Sequence, residues 1–336
     1  MRKMKAMRLV KPAPVESTPL VVDDVPLPRP GPGQIRLLVN VCAICHTDLH
    51  IIEGELEVPR LPLIPGHQVI GTVEARGAGA RRFREGDRLG VAWLQGACGT
   101  CGFCRRGMEN LCGNARFTGF HADGGYAEYV VVREDFAYAL PEKFADVQAA
   151  PLLCAGVIGY RAFRLAGTCV GERLGLFGFG ASAHIVLQVA LHRQCEVYVF
   201  TRSENHRDLA RRMGAAWVGD AIDSPPEKLD RAILLAPAGR LVPVALGHLR
   251  RGGSLAIAAI YLDPIPSIDY GEILFGERSM TSVTAGTRQD ARELLELAGE
   301  IPIEVEIREF PLEDANRALE ALKRSAIPAA GVLRVP

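Results

Sequence analysis

The pattern of apolar and polar residues changes about halfway along the chain. Up to about Leu152, short β-branched runs are interrupted by proline and glycine. These runs predict strands at 34–41, 69–75, 87–92 and 126–132. From Gly171 to about Thr284, apolar strands alternate with longer segments of helical period. The first pattern predicts a mostly β unit with long loops, and the second predicts parallel βαβ units in a doubly wound sheet.

The second region and the end of the chain give more specific predictions. Strands are predicted at 173–177, 196–201, 231–235 and 254–259, and helices at 182–193 and 205–213. After about Ala285, two helix-like stretches, 290–299 and 312–323, flank a strand-like Ile303 to Arg308. We expect this tail to return to the first domain. The predicted domains are therefore residues 1–152 with 285–336, and residues 153–284.

A glycine-rich turn follows the first strand of the second region. Gly178 and Gly180, with Ala183 in the third position, form G-x-G-x-x-A between a strand and a helix. The first glycine permits a tight turn, and the second lets a pyrophosphate approach the backbone at the helix N-terminus. Ala183 supplies the small residue that helix-to-strand packing needs. The motif in this context predicts a dinucleotide site.

The residues at the end of the next strand bear on which dinucleotide is bound. An NAD enzyme usually has Asp or Glu there to hold the ribose hydroxyls, but this chain has Thr201, Arg202 and Ser203. A missing carboxylate and an added arginine favour a 2′-phosphate, and hence NADP(H) over NAD(H). Under the alternative interpretation, Arg202 is a solvated surface residue and other groups hold the ribose.

Length, charge and the lack of a targeting signal exclude several classes. The 336 residues suit two domains, and 39 basic residues balance 39 acidic ones. Such a balance argues against nucleic-acid and anionic-membrane partners. The charge-free stretch 174–191 contains a glycine turn and polar residues, so we interpret it as a strand and a helix rather than a membrane span. No apolar signal core follows Met1, and a cytoplasmic location is expected.

Four closely spaced cysteines form the strongest local motif. Cys98, Cys101, Cys104 and Cys112 have the spacing of a closed Cys₄ site for structural zinc. Disulfides are the alternative, but an oxidising compartment is unsupported. Cys42, Cys169 and Cys195 are expected to be buried apolar residues.

A second set of donors surrounds this loop in the sequence. Cys45 and His67 precede it and Cys154 follows it. Two thiolates and an imidazole are typical of a catalytic zinc whose fourth position is open. A lone His or Cys is more often structural, so the order around the Cys₄ loop carries the prediction.

These motifs together resemble the zinc-dependent medium-chain alcohol dehydrogenases. The resemblance rests on C-H-T-D at 45–48, G-H-Q-V-I-G at 66–71, the Cys₄ loop, P-L-L-C-A-G around Cys154 and the glycine turn, and it covers nearly the whole chain. It implies an α/β architecture, with a GroES-like β domain and a Rossmann domain with a doubly wound parallel sheet. It also implies two zinc ions per chain and a homo-oligomer, either tetramer or dimer.

The resemblance also implies roles for individual residues. Cys45, His67 and Cys154 would bind the catalytic zinc, and Asp48 would orient His67. Thr47 matches the hydroxyl that takes the substrate proton, and His50 the outer end of the proton relay. His46 and Arg288 match positions that contact the cofactor pyrophosphate, and Trp93 matches a bulky wall that suits small alcohols. Gln68 departs from the glutamate that the family usually has after the zinc histidine, which removes a negative charge near the metal.

The sequence thus predicts a zinc-dependent alcohol dehydrogenase or aldehyde reductase that acts on a small primary or secondary alcohol or aldehyde. The alternatives are a polyol or amino-alcohol dehydrogenase of the same fold and a non-catalytic NADPH-binding protein. A zinc-ribbon nucleic-acid module is disfavoured by the zero net charge.

Overall fold

The structure divides the chain into two compact units. A computed structural model describes residues 2–327 and 329–336. The first unit is Met1–Cys154 together with Ala285–Pro336, and the second unit is Ala155–Thr284. This boundary places Cys154 in the same unit as Cys45 and His67, whereas the expected boundary separated it from them.

The elements follow in chain order. The strands are β1 (Lys3–Leu9), β2 (Leu20–Pro26), β3 (Gln34–Ile44), β4 (Gln68–Arg76), β5 (Arg88–Val91), β6 (Leu94–Gly96), β7 (Arg116–Phe117), β8 (Tyr129–Arg133), β9 (Ala137–Ala139), β10 (Arg173–Phe177), β11 (Glu196–Phe200), β12 (Trp217–Gly219), β13 (Leu229–Leu234), β14 (Leu249–Ile257), β15 (Ser279–Ser282), β16 (Ile307–Pro311) and β17 (Ala330–Arg334). The helices are α1 (His46–Glu53), α2 (Gly102–Arg105), α3 (Asp146–Ala149), α4 (Ala155–Leu165), α5 (Ala181–His192), α6 (Glu204–Arg212), α7 (Leu241–His248), α8 (Arg288–Glu300) and α9 (Ala315–Lys323).

The second unit contains a parallel sheet in the order β12-β11-β10-β13-β14-β15. Its central strands are apolar almost throughout, as in β10, where Leu174, Leu176 and Phe177 are fully buried. Strands with both faces covered by helices need such continuous apolar runs. The predicted doubly wound parallel sheet is confirmed. From β10 to β12 successive strands are added towards one edge of the sheet, and from β13 to β15 towards the other edge. In sheets of this kind, ligands bind at the carboxyl ends of the strands where this order reverses, which here is between β10 and β13.

The first unit is built around a largely antiparallel sheet in the order β16-β17-β3-β4-β5-β9, with β8 also paired to β3. The long strand β3 is central because it pairs with β17, β4 and β8. The final segment of the chain therefore contributes two strands to the sheet that the first residues form.

The predicted strand Ile303 to Arg308 was placed too early. Residues 301–305 alternate between buried and exposed side chains, but pairing with β17 begins only at Ile307. An alternating pattern of buried and exposed side chains shows only that one side of a segment is buried. A β-strand also needs a neighbouring strand to pair with its backbone N–H and C=O groups. The predicted helix 312–323 begins with a 3₁₀ turn, Leu312–Asp314, before α9.

The leftover cysteines differ in exposure. All nine cysteines are free thiols, and Cys42 and Cys195 are buried as expected. Cys169 is exposed, so the expectation that it fills the core was wrong. It lies in the turn that precedes β10, and its sulfur contacts the carbonyl oxygen of Gly167 at 3.5 Å. Within the described residues, the helices are too short or too polar to cross a membrane.

Candidate active site and metal centres

Helix α1 begins immediately after Cys45, which caps it. The Cys45 sulfur accepts a hydrogen bond from the backbone N–H of Thr47 (3.3 Å), and the Asp48 carboxylate accepts one from the N–H of Cys45 (2.9 Å). This reciprocal pair is a capping box in which a thiol replaces the usual hydroxyl. The helix start therefore fixes Cys45, Thr47 and Asp48 relative to one another.

Cys45, His67 and Cys154 lie close together although they are distant in sequence. Cys45 follows β3, His67 precedes β4, and Cys154 follows a buried 3₁₀ turn, Ala150–Leu153. The Cys45 sulfur is 3.3 Å from His67 Nε2 and 3.9 Å from the Cys154 sulfur. The three donor atoms lie within 4.8 Å of one another. Thiolates bound to one tetrahedral zinc are about 3.8 Å apart, so the donor set fits this ion.

A buried carboxylate sets the orientation of the His67 ring. His67 Nδ1 lies 3.2 Å from Asp48 Oδ1, and both side chains are fully buried. Burial by itself lowers the pKa of His67, but the negative charges of Asp48 and Cys45 raise that pKa to about 10. The same charges favour a metal cation at Nε2, because Asp48 accepts the Nδ1 proton and leaves the Nε2 lone pair for a ligand bond.

Contact between the two thiols of this cluster shifts their pKa values in opposite directions. The Cys154 thiol donates to the Cys45 sulfur and lowers the pKa of Cys45 well below its ordinary value, and the charge of His67 acts in the same direction. The same shared proton, together with burial, raises the pKa of Cys154. A bound cation would need both sulfurs as thiolates, so its binding would be accompanied by loss of the proton that they share.

Aromatic rings line one side of this cluster. The Trp93 ring meets His67 edge to face, with ring centroids 4.8 Å apart, and it stacks on Phe117 at 5.0 Å. Phe120 lies 5.8 Å from Trp93, and His121 contacts both phenylalanines. The sequence singled out Trp93 alone. The neighbouring phenylalanines extend the apolar surface that begins at the histidine.

Gln68 is buried beside His67. Its side chain is 1% exposed, and within the described residues its Nε2 has no hydrogen-bond partner. A buried amide without a partner costs stability, and such groups concentrate at functional sites.

The four other cysteines surround a second candidate metal position. The Cys104 sulfur is 3.8 Å from that of Cys98 and 3.5 Å from that of Cys101. These separations suit a shared zinc ion and are far longer than a disulfide bond of about 2.05 Å. The disulfide alternative is therefore wrong for this loop. Cys112 completes the set, and all four sulfurs lie within 4.8 Å.

Backbone N–H groups of the same loop stabilise negative sulfur. The N–H of Cys101 donates to Cys98 (3.3 Å), that of Cys104 to Cys101 (3.5 Å), and that of Cys98 to Cys112 (3.5 Å). Backbone N–H groups of Thr100 and Cys101 lower the pKa of Cys98 to about 6. Burial instead raises the pKa of Cys104 to about 12. The loop thus prepares thiolate ligands, although a cation must displace the proton of Cys104.

In the second unit, the glycine turn has the geometry that a dinucleotide phosphate requires. Gly178 has φ of +94°, which is costly for other residues, and a Cβ there would lie 2.9 Å from the backbone nitrogen of Ala236. A Cβ at Gly180 would point into open space in front of α5, where a pyrophosphate can approach the helix N-terminus. Ala183 is fully buried.

Thr201, Arg202 and Ser203 lie at the same edge of the sheet as this turn. The N–H of Gly178 donates to the carbonyl oxygen of Phe200, the last residue of β11, at 2.8 Å. Thr201 is buried, Arg202 is exposed, and Ser203 caps α6 by accepting from the N–H of His206. An exposed guanidinium at this edge is available to a bound phosphate.

His46, His50 and Arg288 lie in the first unit. His46 is the exposed first residue of α1, and His50 is one turn further on, where Nδ1 contacts the Glu55 carboxylate. Arg288 begins α8, and its Nε donates to the buried Glu109 carboxylate at 2.8 Å. Sequence analysis missed Glu109, because no local pattern connects residues so far apart.

Two family models match the chain. A family model described as "Alcohol dehydrogenase GroES-like domain" matches residues 31–142, and one described as "Zinc-binding dehydrogenase" matches residues 183–300. The predicted GroES-like domain is thereby confirmed.

Proteins that match nearly the whole chain are also alcohol dehydrogenases by name. A protein of Mycobacterium tuberculosis named "Probable alcohol dehydrogenase" is 48% identical over 99% of this chain and 97% of its own length. An alcohol dehydrogenase of Geobacillus stearothermophilus is 33% identical over 94% of this chain and 96% of its own. The solved structure of a cinnamyl alcohol dehydrogenase from Sorghum bicolor superposes with a TM-score of 0.90, at 28% identity, over 99% of this chain and 98% of that one. The chain therefore belongs to the zinc-dependent medium-chain alcohol dehydrogenase family.

Proposed function

We propose that the protein interconverts a small primary or secondary alcohol and its carbonyl compound, with NADP(H) in preference to NAD(H). The observation that carries this proposal is the Cys45, His67 and Cys154 cluster, in which three donors converge on one point. Three protein ligands leave one position of a tetrahedral ion for substrate. We propose further that each chain holds two zinc ions, the second at the four cysteines.

The chain's own residues set the charge and geometry of the reaction centre. Bound zinc supplies a Lewis acid for the substrate oxygen. Cys45 and Cys154 would balance its charge as thiolates, and Asp48 accepts the Nδ1 proton of His67, so that Nε2 would be free to bind the ion. Trp93 limits the space next to His67, which favours small substrates.

A proton route follows one side of α1. Thr47 lies next to Cys45, and its hydroxyl both donates and accepts hydrogen bonds, so it can take the alcohol proton and pass another onward. His50 is three residues further along the helix and therefore on the same face. The two ring nitrogens of an imidazole can donate and accept, so His50 can exchange this proton with water.

The proposed cofactor preference rests on Thr201 and Arg202. β11 ends without a carboxylate to accept the ribose hydroxyls, and the exposed Arg202 can pair with a 2′-phosphate. The glycine turn beside it fits the pyrophosphate, because a Cβ at Gly180 would meet no atom within 4 Å. Arg288 is engaged by Glu109 in this structure, so a contact of Arg288 with pyrophosphate would compete with that ion pair.

Initial rates with a short aldehyde, measured with NADPH and with NADH before and after zinc removal, test the proposal. We expect zinc-dependent turnover that favours NADPH. Turnover only with polyols would change the substrate class. Nucleotide binding without turnover on any alcohol or aldehyde would support a non-catalytic NADPH-binding protein.

Thr201→Asp tests the cofactor preference by itself. A carboxylate at this position repels a 2′-phosphate and can accept from ribose hydroxyls, so the ratio of kcat/KM for NADPH to that for NADH should fall about tenfold or more. Ser224→Asp, at an exposed position between β12 and β13, is the control. An unchanged ratio in Thr201→Asp would contradict the NADP(H) assignment.

We also propose that the protein is a homo-oligomer that uses the edge of the parallel sheet. β15 is the last strand of that sheet, and all four of its residues are exposed. Exposed apolar side chains occur on β15 and in the segment that leads to it from β14, namely Ile260, Tyr261, Tyr270, Phe275 and Met280. Exposed strand edges and apolar patches are typical of interaction surfaces. Sedimentation of the parent and of Phe275→Glu would test this surface, because the variant should lower the oligomeric state. The choice between tetramer and dimer stays a prediction, and so does the cytoplasmic location.

A further inference from the structure

A buried tyrosine hydroxyl faces the carboxylate that orients His67. Tyr126 is 0% exposed, and its Oη makes no hydrogen bond of ordinary geometry within the described chain. Burial raises the pKa of Tyr126 well above its usual value, and the Asp48 carboxylate beside it raises that pKa further. A buried hydroxyl without a partner destabilises the fold, so its position needs an explanation.

The position of the Tyr126 ring is fixed from several directions. Its backbone N–H donates to Pro65 (3.0 Å), and its carbonyl oxygen accepts from Met7 (2.8 Å). Its ring lies so close to Gly66 that a Cβ there would be 2.3 Å from ring carbon Cδ1. Gly66 has φ of +95° and directly precedes His67. Only glycine allows both the turn and the contact, so the tyrosine ring and the His67 backbone are held together.

The Asp48 carboxylate has acceptor capacity that its observed bonds do not use. It accepts from the N–H of Cys45 through Oδ2 (2.9 Å) and from His67 through Oδ1 (3.2 Å), and it is fully buried. An ionised carboxylate can accept about four hydrogen bonds, and its burial is costly unless they are made. The phenol of Tyr126 is a buried donor that faces it and has no other acceptor.

We propose that Tyr126 is a positioning residue for the zinc histidine: with metal bound, its hydroxyl donates to Asp48, which in turn holds Nδ1 of His67. This inference rests on the proposed function, because it assigns a zinc ion to Cys45, His67 and Cys154. In this role Tyr126 is not a metal ligand and acts through Asp48. Its hydroxyl fixes the carboxylate, and the fixed carboxylate limits rotation of the imidazole.

Zinc release from the intact zinc-loaded protein provides the test. With a chelator and a chromogenic zinc indicator, Tyr126→Phe should release the zinc of the three-donor site about tenfold faster, the lower end of the effect of losing a partner that supports a metal ligand. Zinc at the four cysteines should leave at the parent rate. Cobalt substituted at the three-donor site should show a shifted visible absorption band in Tyr126→Phe.

Tyr138→Phe is the matched control, since Tyr138 is also buried in the first unit but faces Arg288 and Glu109 instead of Asp48. It should leave the release rates and the cobalt spectrum unchanged. A double-mutant cycle with Asp48→Asn provides a second measurement. If Tyr126 acts through Asp48, adding Tyr126→Phe to Asp48→Asn should change release less than twofold.

Several results would overturn the inference. A parent-like rate of zinc release and an unchanged cobalt spectrum in Tyr126→Phe would show that the hydroxyl does not position the Asp48 carboxylate. Faster release from both sites would indicate general destabilisation, and full additivity in the cycle would separate Tyr126 from Asp48. A parent protein without zinc at the three-donor site would instead refute the proposed function itself, and the inference with it.

Discussion

The two cysteine clusters of the first unit are assembled in different ways. Cys98, Cys101, Cys104 and Cys112 belong to one loop, and the N–H groups of that loop donate to their sulfurs. Cys45, His67 and Cys154 come from three distant segments, and a buried carboxylate orients the histidine. One cluster is thus a product of local sequence, and the other depends on the whole first unit.

The donor types suit different tasks. Four thiolates around a divalent cation fill its coordination and leave a net negative charge, which is typical of a structural ion. Two thiolates and a neutral imidazole leave a neutral centre with one open position, where an ion can act on a substrate. One loop can supply all four ligands of a fully coordinated ion. A site with three ligands and a free position depends on the packing of distant segments to hold those ligands apart.

Cys45→Ser should have the largest effect and should separate the two clusters. Loss of a charged ligand weakens the catalytic ion and its contribution of several kcal/mol to the transition state, so kcat/KM should fall by about 10³-fold or more. Zinc analysis should show the four-cysteine ion still present. Cys169→Ser, an exposed thiol of the second unit, is the control. Loss of both ions in Cys45→Ser would mean that the clusters are not independent.

Cys104→Ser should act mainly on stability. The proposed ion of this loop would contribute several kcal/mol of stability, and the variant should lose it. Because 1 kcal/mol shifts Tm by about 2–4 °C in a domain of this size, Tm should fall by roughly 10 °C. Calorimetry and zinc content check this result at a temperature where the variant stays folded. Residual activity there should exceed that of Cys45→Ser. An unchanged Tm would show that the loop is stable without metal.

Glu109→Gln tests how the local cluster is attached to the rest of the first unit. Glu109 lies between the third and fourth cysteines and binds both the backbone N–H and Nε of Arg288, at 3.2 and 2.8 Å. Burial by itself raises the pKa of Glu109, but the Arg288 hydrogen bonds and charge hold it below the ordinary 4.5. Removing this charge should lower the free energy of unfolding by about 2 kcal/mol at pH 7.

The pH dependence follows from the sign of that shift. A carboxylate with a depressed folded-state pKa stabilises the fold above its unfolded-state value, and this stabilisation is lost as pH falls through the folded-state pKa. The difference between the parent and Glu109→Gln should therefore be complete at pH 7 and should shrink progressively as pH falls below 4.5 and through the lowered folded-state pKa. Denaturant unfolding at pH 7 and at a series of acidic pH values measures this difference, with the exposed Glu296→Gln of α8 as control. A difference that persists in acid would exclude the ion pair as its source.

Gln68→Glu should have the smallest effect and should concern only the open cluster. An added negative charge next to His67 disfavours further loss of a proton nearby, so the pH at half-maximal alcohol oxidation should rise by about one unit. Zinc at the four cysteines should not respond. Gln95→Glu, a buried amide of the same unit, is the matched variant. An unchanged pH profile would show that the amide at position 68 does not tune the centre.

Much of the fold was predictable because its signals are local. The strand, glycine turn and helix around Gly178 follow from an apolar run, a residue that tolerates positive φ and a helical period, and β10 and α5 lie within one residue of the predicted bounds. Long-range pairing was not predictable. The strand at Ile307–Pro311 was misplaced because its bounds depend on β17, which contributes no local signal at that position.

The features of the candidate site likewise fall into those set by local sequence and those set by tertiary contacts. The sequence by itself determined the donor atoms, the four-cysteine loop, the glycine turn and the lack of a carboxylate after β11, because each is a matter of residue type at short spacing. Tertiary structure alone decided that Cys154 reaches Cys45, that Glu109 holds Arg288, and that Tyr126 faces Asp48. These contacts join residues that are far apart in the sequence, and only the packing of the folded first unit brings their side chains together.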